Sequence, residues 1–214
     1  MIIWGMKTRF TRSKIRDVLA KCCPSCGNDL ELHDLKKWFT LYFIPIFPYS
    51  TIESCYKCAH CAQTYKQSVK QTIVGSSKER DKLKKEAQKT FATTLAACMT
   101  HMAKIDGSIS REERKELEDL SKKFKEFSTD IKKTIDKISK SKKDDDVFDL
   151  LSQARNILTA EGIMLIIGQV ARVLLADGKI DKKEESLMKE YLLVCGIPRD
   201  LFNEIVDKVK KGMN

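Results

Sequence analysis

Several absences narrow this 214-residue chain before any motif does. No apolar run approaches the ~20 residues that a helix needs to cross a bilayer. The opening "MIIWGMKTRF" is too short in its apolar part for a secretory signal, and it offers no small-residue cleavage site. The expected setting is therefore cytoplasmic and reducing, where cysteines are rarely paired as disulfides. Histidine is scarce: His33, His60 and His101 are the whole complement. No nucleophile–base constellation can be assembled around them, which argues against an enzyme. A polybasic arm is also missing, although the formal charge is +10. Residues 1–74 hold eleven Lys/Arg against five Asp/Glu (+6), 75–160 twenty against sixteen (+4), and 161–214 nine against nine. Such a mildly basic first segment permits contact with nucleic acid or anionic lipid without requiring either.

Cysteine is plentiful by contrast, and it is clustered. Six of the eight fall between residues 22 and 61. Cys23-Pro24-Ser25-Cys26-Gly27 and Cys58-Ala59-His60-Cys61 are two C-x-x-C turns, each followed by a small residue, Gly27 or Ala62. Each turn can present two sulfurs to one ion. Four thiolates make a closed tetrahedral site, which suits structural zinc and leaves no position for a substrate. Cys55-Tyr56-Lys57-Cys58 is a competing register. Cys58 with Cys61 is preferred because a strand-like "QTY" follows that turn, which leaves Cys22 and Cys55 as spare thiols. His33 and His60 are alternative ligands, and an iron–sulfur cluster is a rival occupant, although the usual ferredoxin spacings are absent.

Between the turns lies "KWFTLYFIPIFPYS", residues 37–50. A ribbon of about 50 residues buries too little surface to fold unaided, and metal binding offsets the deficit. Trp38, Phe39, Leu41, Phe43, Ile44, Ile46 and Phe47 are expected to form strands and supply the rest of a small core. Pro45 and Pro48 restrict those strands to edges or bends. The competing reading makes residues 38–49 an exposed patch that docks a partner or a membrane surface. The succession "MIIWGMKTRF", "CPSCG", "KWFTLYFIPIFP" and "CAHCAQTY" resembles a family of short bacterial zinc-ribbon proteins over residues 1–66. Ala62 stands where that family has glycine. The resemblance implies zinc binding; it does not imply an enzymatic activity.

"QTIVGSSKERDK" marks a boundary, with Gly75-Ser76-Ser77 breaking a strand pattern. Ser76 and Glu79 form a capping box for a long helix. Leu83, Ala87, Phe91, Leu95, Cys98, Met99 and Met102 then recur at helical spacing, which makes Cys98 a packed thiol rather than a nucleophile. The expected helices span 77–104, 111–126, 129–140, 145–158, 161–176, 182–194 and 199–211. Within them "AKIDGSISREE" at 103–113 matches "LADGKIDKKEE" at 175–185, and both read D-G-x-I-[S/D]-x-x-E. Ser110 or Asp181 caps the next helix, and Glu113 or Glu184 closes the box three residues on. A calcium loop of the EF-hand type is excluded. With glycine at loop position six, Met102 and Lys104, or Val173 and Leu175, fall where oxygen ligands are needed.

On these two motifs, residues 85–210 resemble the TerB-like helical domain, named for tellurite resistance, which has two helix–DG–helix halves. The resemblance implies an acidic surface for a metal or partner at Asp106, Glu113, Asp177 and Glu184; the plainer reading is that all four only cap helices. The expected architecture is a small β zinc ribbon followed by an all-α, internally duplicated TerB-like bundle. Its parts are residues 1–70 for the ribbon, 71–84 for the linker and start of the long helix, and 85–214 for the bundle. The expected role is that of a zinc-binding, non-enzymatic adaptor in a bacterial stress-response or defence system, with a protein partner. Weak nucleic-acid binding by the basic ribbon, through Lys7, Arg9, Arg12, Lys14, Arg16, Lys36 and Lys37, is the alternative. A metal-dependent activity at the acidic loops comes third. Location is cytoplasmic, or peripheral at a membrane.

Overall fold

The computed structural model describes residues 4–41, 44–105, 111–141, 145–175 and 180–213. The chain divides into two compact units, Met1–Glu86 and Ala87–Asn214.

The first unit is an antiparallel sheet. Its strands are β1 (Trp4–Arg12), β2 (Val18–Leu19), β3 (Leu30–Leu41), β4 (Ile44–Cys58) and β5 (Thr64–Lys66), in the order β1-β3-β4-β5, with β2 also paired to β3. β3 is central because β1 and β2 share one of its edges and β4 takes the other. Among the described residues β5 covers only Cys55–Lys57, and from Ile44 to Ser54 β4 pairs as a strand with β3 alone. Pro45 and Pro48 lie in that portion, opposite Thr40 and Trp38 and beside shifts of register, in keeping with the confinement of strand proline to edges and bulges. Register shifts between Leu35 and Thr40 mark bulges, which bend a strand pair.

Of the residues expected to supply the core, the side chains of Phe39, Leu41, Phe43, Ile44 and Ile46 lie outside those the structure describes, and Trp38 and Phe47 do not join the described core. That core consists of Leu19, Cys23, Leu30, Leu32, Tyr56, Cys58 and Ile73, with Tyr65, Val69 and Leu83 against it. Leu30 and Leu32 pair with Cys58 and Tyr56 at the cysteine end of the hairpin, whereas Trp38 to Leu41 lie a long way up the same strand. Phe47 and Tyr49 are 50% and 48% exposed. "QTIV" is likewise no strand: α1 (Lys70–Val74) is a short helix that places Ile73 in the core. Asp17 holds it there, accepting from Tyr56 Oη at 2.5 Å and from Lys70 Nζ at 2.6 Å. Those bonds to a charged acceptor hold the Asp17 carboxyl below the usual range.

The long helix α2 (Ser77–Lys104) starts at the expected box. Ser76 N–H donates to Glu79 Oε2 at 2.6 Å, and Glu79 N–H to Ser76 Oγ at 3.3 Å. The second unit contains its C-terminal part with α3 (Arg111–Lys123), α4 (Ser128–Lys140), α5 (Asp145–Ile157), α6 (Ala160–Leu174), α7 (Lys182–Val194) and α8 (Phe202–Met213). Short 3-10 turns at Lys125–Phe127 and Arg199–Leu201 replace the ends of two expected helices. Instead of one apolar stripe, α2 buries nearly every side chain from Ala92 to Ala103. Its small residues Ala92, Ala96, Ala97 and Cys98 let neighbours approach on all sides. α5 packs on α6 and α7, and α8 packs on α6 and α7. Two helix pairs, α2–α3 and α6–α7, flank the two Asp-Gly motifs, as the sequence repeat requires.

Candidate metal centre

Two turns of the same construction build the site. After Cys26, Gly27 takes φ +72°; after Cys61, Ala62 takes φ +59°. Gly27 N–H donates to Cys23 O at 2.8 Å, and Ala62 N–H to Cys58 O at 3.0 Å. Cys23 N–H donates to Asn28 O at 2.8 Å, and Cys58 N–H to Gln63 O at 3.0 Å. Each turn therefore curls its backbone around two sulfurs, and alanine adopts the left-handed conformation that glycine favours. The first turn follows β2, and the second grows directly from the end of β4. Leu30 opposite Cys58 brings the two together.

The four sulfurs converge. All lie within 4.8 Å of one another, with Cys23 to Cys61 at 3.6 Å and Cys26 to Cys58 at 3.5 Å. An ion held at ~2.3 Å by four thiolates sets its sulfurs ~3.8 Å apart, so the group is sized for a tetrahedral metal. Cys23 and Cys58 are buried, and Cys26 and Cys61 are half-buried. The donor set fits a zinc ribbon.

The competing register is resolved by strand alternation. Cys55 and Cys58 are three apart on β4 and so face opposite sides of the sheet. Neither Cys22 nor Cys55 joins the cluster; the Cys22 thiol donates to Ala20 O at 3.1 Å. His33 and His60 also stand outside it.

Two residues unremarked in the sequence shape the site's electrostatics. Asn28 Nδ2 donates to Cys26 Sγ at 3.4 Å, and this contact leads in drawing the Cys26 thiol down to about 6. Burial pushes the Cys61 thiol up to about 12. Tyr65 Oη shares a hydrogen bond with Ser25 Oγ at 2.9 Å and lies 4.0 Å from Cys23 Sγ, closing the site's flank. Asn28 lies two residues past the first turn and Tyr65 four past the second, within the strand-like "QTY"; nothing else in the sequence marked either as part of the site.

The acidic residues of the helical unit behave differently. Asp106 and Asp177 lie outside the described residues, as does the Glu113 side chain, although Glu113 falls within α3. Glu184 closes a capping box: Asp181 N–H donates to Glu184 Oε2 at 2.8 Å, and Lys183 and Glu184 N–H groups donate to Asp181 Oδ1 at 2.6 and 2.8 Å. The second copy of the motif thus caps its helix. His101 has a partner that the sequence did not name. Its Nδ1 is 2.9 Å from Oη of fully buried Tyr191, beside Phe148, at the wall of a cleft of about 780 Å³ that Lys104, Lys183 and Glu190 also line. Cys98 is fully buried, and desolvation raises its thiol pKa, so it is inert packing.

No curated protein sequence and no solved structure gives a significant match. The profile of the family described as "Tellurite resistance protein TerB" matches residues 92–206, over most of the helical unit. That match covers more than half of the chain, joins the paired helix–DG–helix motifs to the helical architecture around them, and places the protein in the TerB family.

Proposed function

We propose that the protein is a zinc-binding, non-enzymatic adaptor. In this reading the first unit is a ribbon held by one structural Zn²⁺ on Cys23, Cys26, Cys58 and Cys61, and the TerB domain engages a protein partner. The observation that carries it is the closed thiol cluster. Two equivalent turns supply all four ligands, leaving no vacancy for substrate, so the ion would act as a cross-link and not as a Lewis acid. A bacterial stress-response or defence system is the setting that the family name suggests.

Elemental analysis of freshly purified chain tests the metal: one zinc per chain is expected, and none, or iron, refutes the ribbon. Affinity capture from the native host with the zinc-loaded chain tests the adaptor. A partner retained by the wild type and by a Cys26→Ser chain alike would assign that contact to the helical unit.

A further inference from the structure

Charge is arranged along the sheet in a way the metal site does not require. The register sets Trp4, Gly5 and Met6 of β1 opposite Leu41, Thr40 and Phe39 of β3, and Phe39 opposite Phe47 of β4. No charged residue occurs at 4–6 or anywhere over 38–52. Immediately inward comes a basic row: Lys7 opposite Trp38, Lys37 opposite Thr8, and Arg9 opposite Lys36. β1 has no acidic residue at all. The nearest carboxylates on β3 and β4 are Asp34, which pairs with Lys36 at 3.3 Å, and Glu53. Lys7 and Arg9 are exposed.

The aromatic residues follow the same division. Phe47 and Tyr49 are half exposed on the edge strand. Exposed aromatic rings, one of them carrying a hydroxyl, are suited to the boundary between headgroups and acyl chains.

We infer that this end of the sheet docks on an anionic bilayer. Phe47, Tyr49 and the uncharged stretches of β3 and β4 beside them enter one leaflet, and Lys7, Arg9 and Lys37 meet the headgroups. The row of one sign complements an anionic surface, and the uncharged apolar stretch beside it favours a bilayer over a water-soluble polyanion. Dimensions agree. The four residues Trp38 to Leu41 extend ~13 Å at ~3.3 Å each, which reaches into one half of a ~30 Å hydrocarbon layer without crossing it. The inference needs a folded ribbon but does not depend on the adaptor reading.

The chain carries its own probe: its two tryptophans, Trp4 and Trp38, both lie on this end of the sheet. Zinc-loaded full-length protein is mixed with vesicles of phosphatidylcholine alone or with phosphatidylglycerol. Expected are co-sedimentation with the anionic vesicles only, a blue shift of tryptophan emission, and quenching by brominated acyl chains. Lys7→Gln with Arg9→Gln should weaken partitioning roughly thirtyfold, about fivefold per charge at an anionic surface. Phe47→Ser with Tyr49→Ser should weaken it roughly tenfold or more and abolish quenching, at unchanged zinc content. Failure to co-sediment overturns the inference, and so does equal binding to neutral vesicles. Binding without acyl-chain quenching does the same, because it leaves surface attraction alone. Self-association that Phe47→Ser with Tyr49→Ser abolishes would give the face to a second copy of the chain instead.

Discussion

Exchanging the residues after the two C-x-x-C turns isolates how much of the site's stability is backbone conformation. Gly27 and Ala62 hold matched left-handed positions, at φ +72° and +59°. A Cβ added at Gly27 would meet nothing within 4 Å, so Gly27→Ala introduces no clash and changes conformational energy alone. A residue with a Cβ costs ~1–2 kcal/mol in that region. The greater freedom of glycine in the unfolded chain offsets ~0.4–1 kcal/mol of the difference. The net is about 0.5–1 kcal/mol against Gly27→Ala and in favour of Ala62→Gly. Because ribbon folding and metal binding are coupled, it should be read as zinc affinity, where it amounts to roughly two- to fivefold. Competition with a chromophoric chelator measures it. Gly27→Ala should bind more weakly, Ala62→Gly more tightly, and the double exchange should return to the wild-type value. Weaker binding by Ala62→Gly would refute the reasoning, because it would mean that the Ala62 methyl makes a contact outweighing its backbone strain.

Cys26→Ser should lose the zinc and the structure of the first unit while most of the helical circular dichroism survives; loss of the helix signal as well would show that the second unit depends on the first. Tyr191→Phe removes the hydroxyl shared with His101 and should lower the stability of the helical unit by about 1–2 kcal/mol in a thermal melt; no change would make that hydrogen bond incidental. Nucleic acid should bind only weakly and without sequence preference, with affinity falling steeply as salt rises. A sequence-selective nanomolar complex in a gel-shift titration would displace the adaptor reading.

Much of the helical unit was legible because its signals are local. The Ser76–Glu79 and Asp181–Glu184 boxes state where helices begin, and a 3.6-residue period states how far they run. The cysteine turns were legible for the same reason, since spacing within each is a property of five residues. The ribbon core was not, because it depends on register. Leu30, Leu32 and Tyr56 are unremarkable among charged and cysteine neighbours, and only the pairing of β3 with β4 makes them the interior. Hydrophobicity pointed instead to residues 38–49, whose described members Trp38 and Phe47 take no part in that interior. At five residues, α1 is too short to show a period. The Tyr191–His101 contact joins α2 to α7 across 90 positions of sequence, and no pattern in one chain encodes it.

The ladder between β3 and β4 also sets an order of assembly. Closing a loop of ~35 residues in one step, as direct capture of both turns by an ion would require, carries an entropic cost of about 4 kcal/mol. Pairing that starts at Leu41 with Ile44 closes each further rung over a chain already held, and its last rung is Leu30 with Cys58, beside the metal site. Hairpins of this kind form in about 1–10 μs but are marginal alone. An ion bound at the four cysteines would then meet two turns that zippering has already brought together, and it would act as a latch. Its arrival would convert a transient hairpin into a lasting one, so that metal release rather than the opening of any strand would set the lifetime of the ribbon.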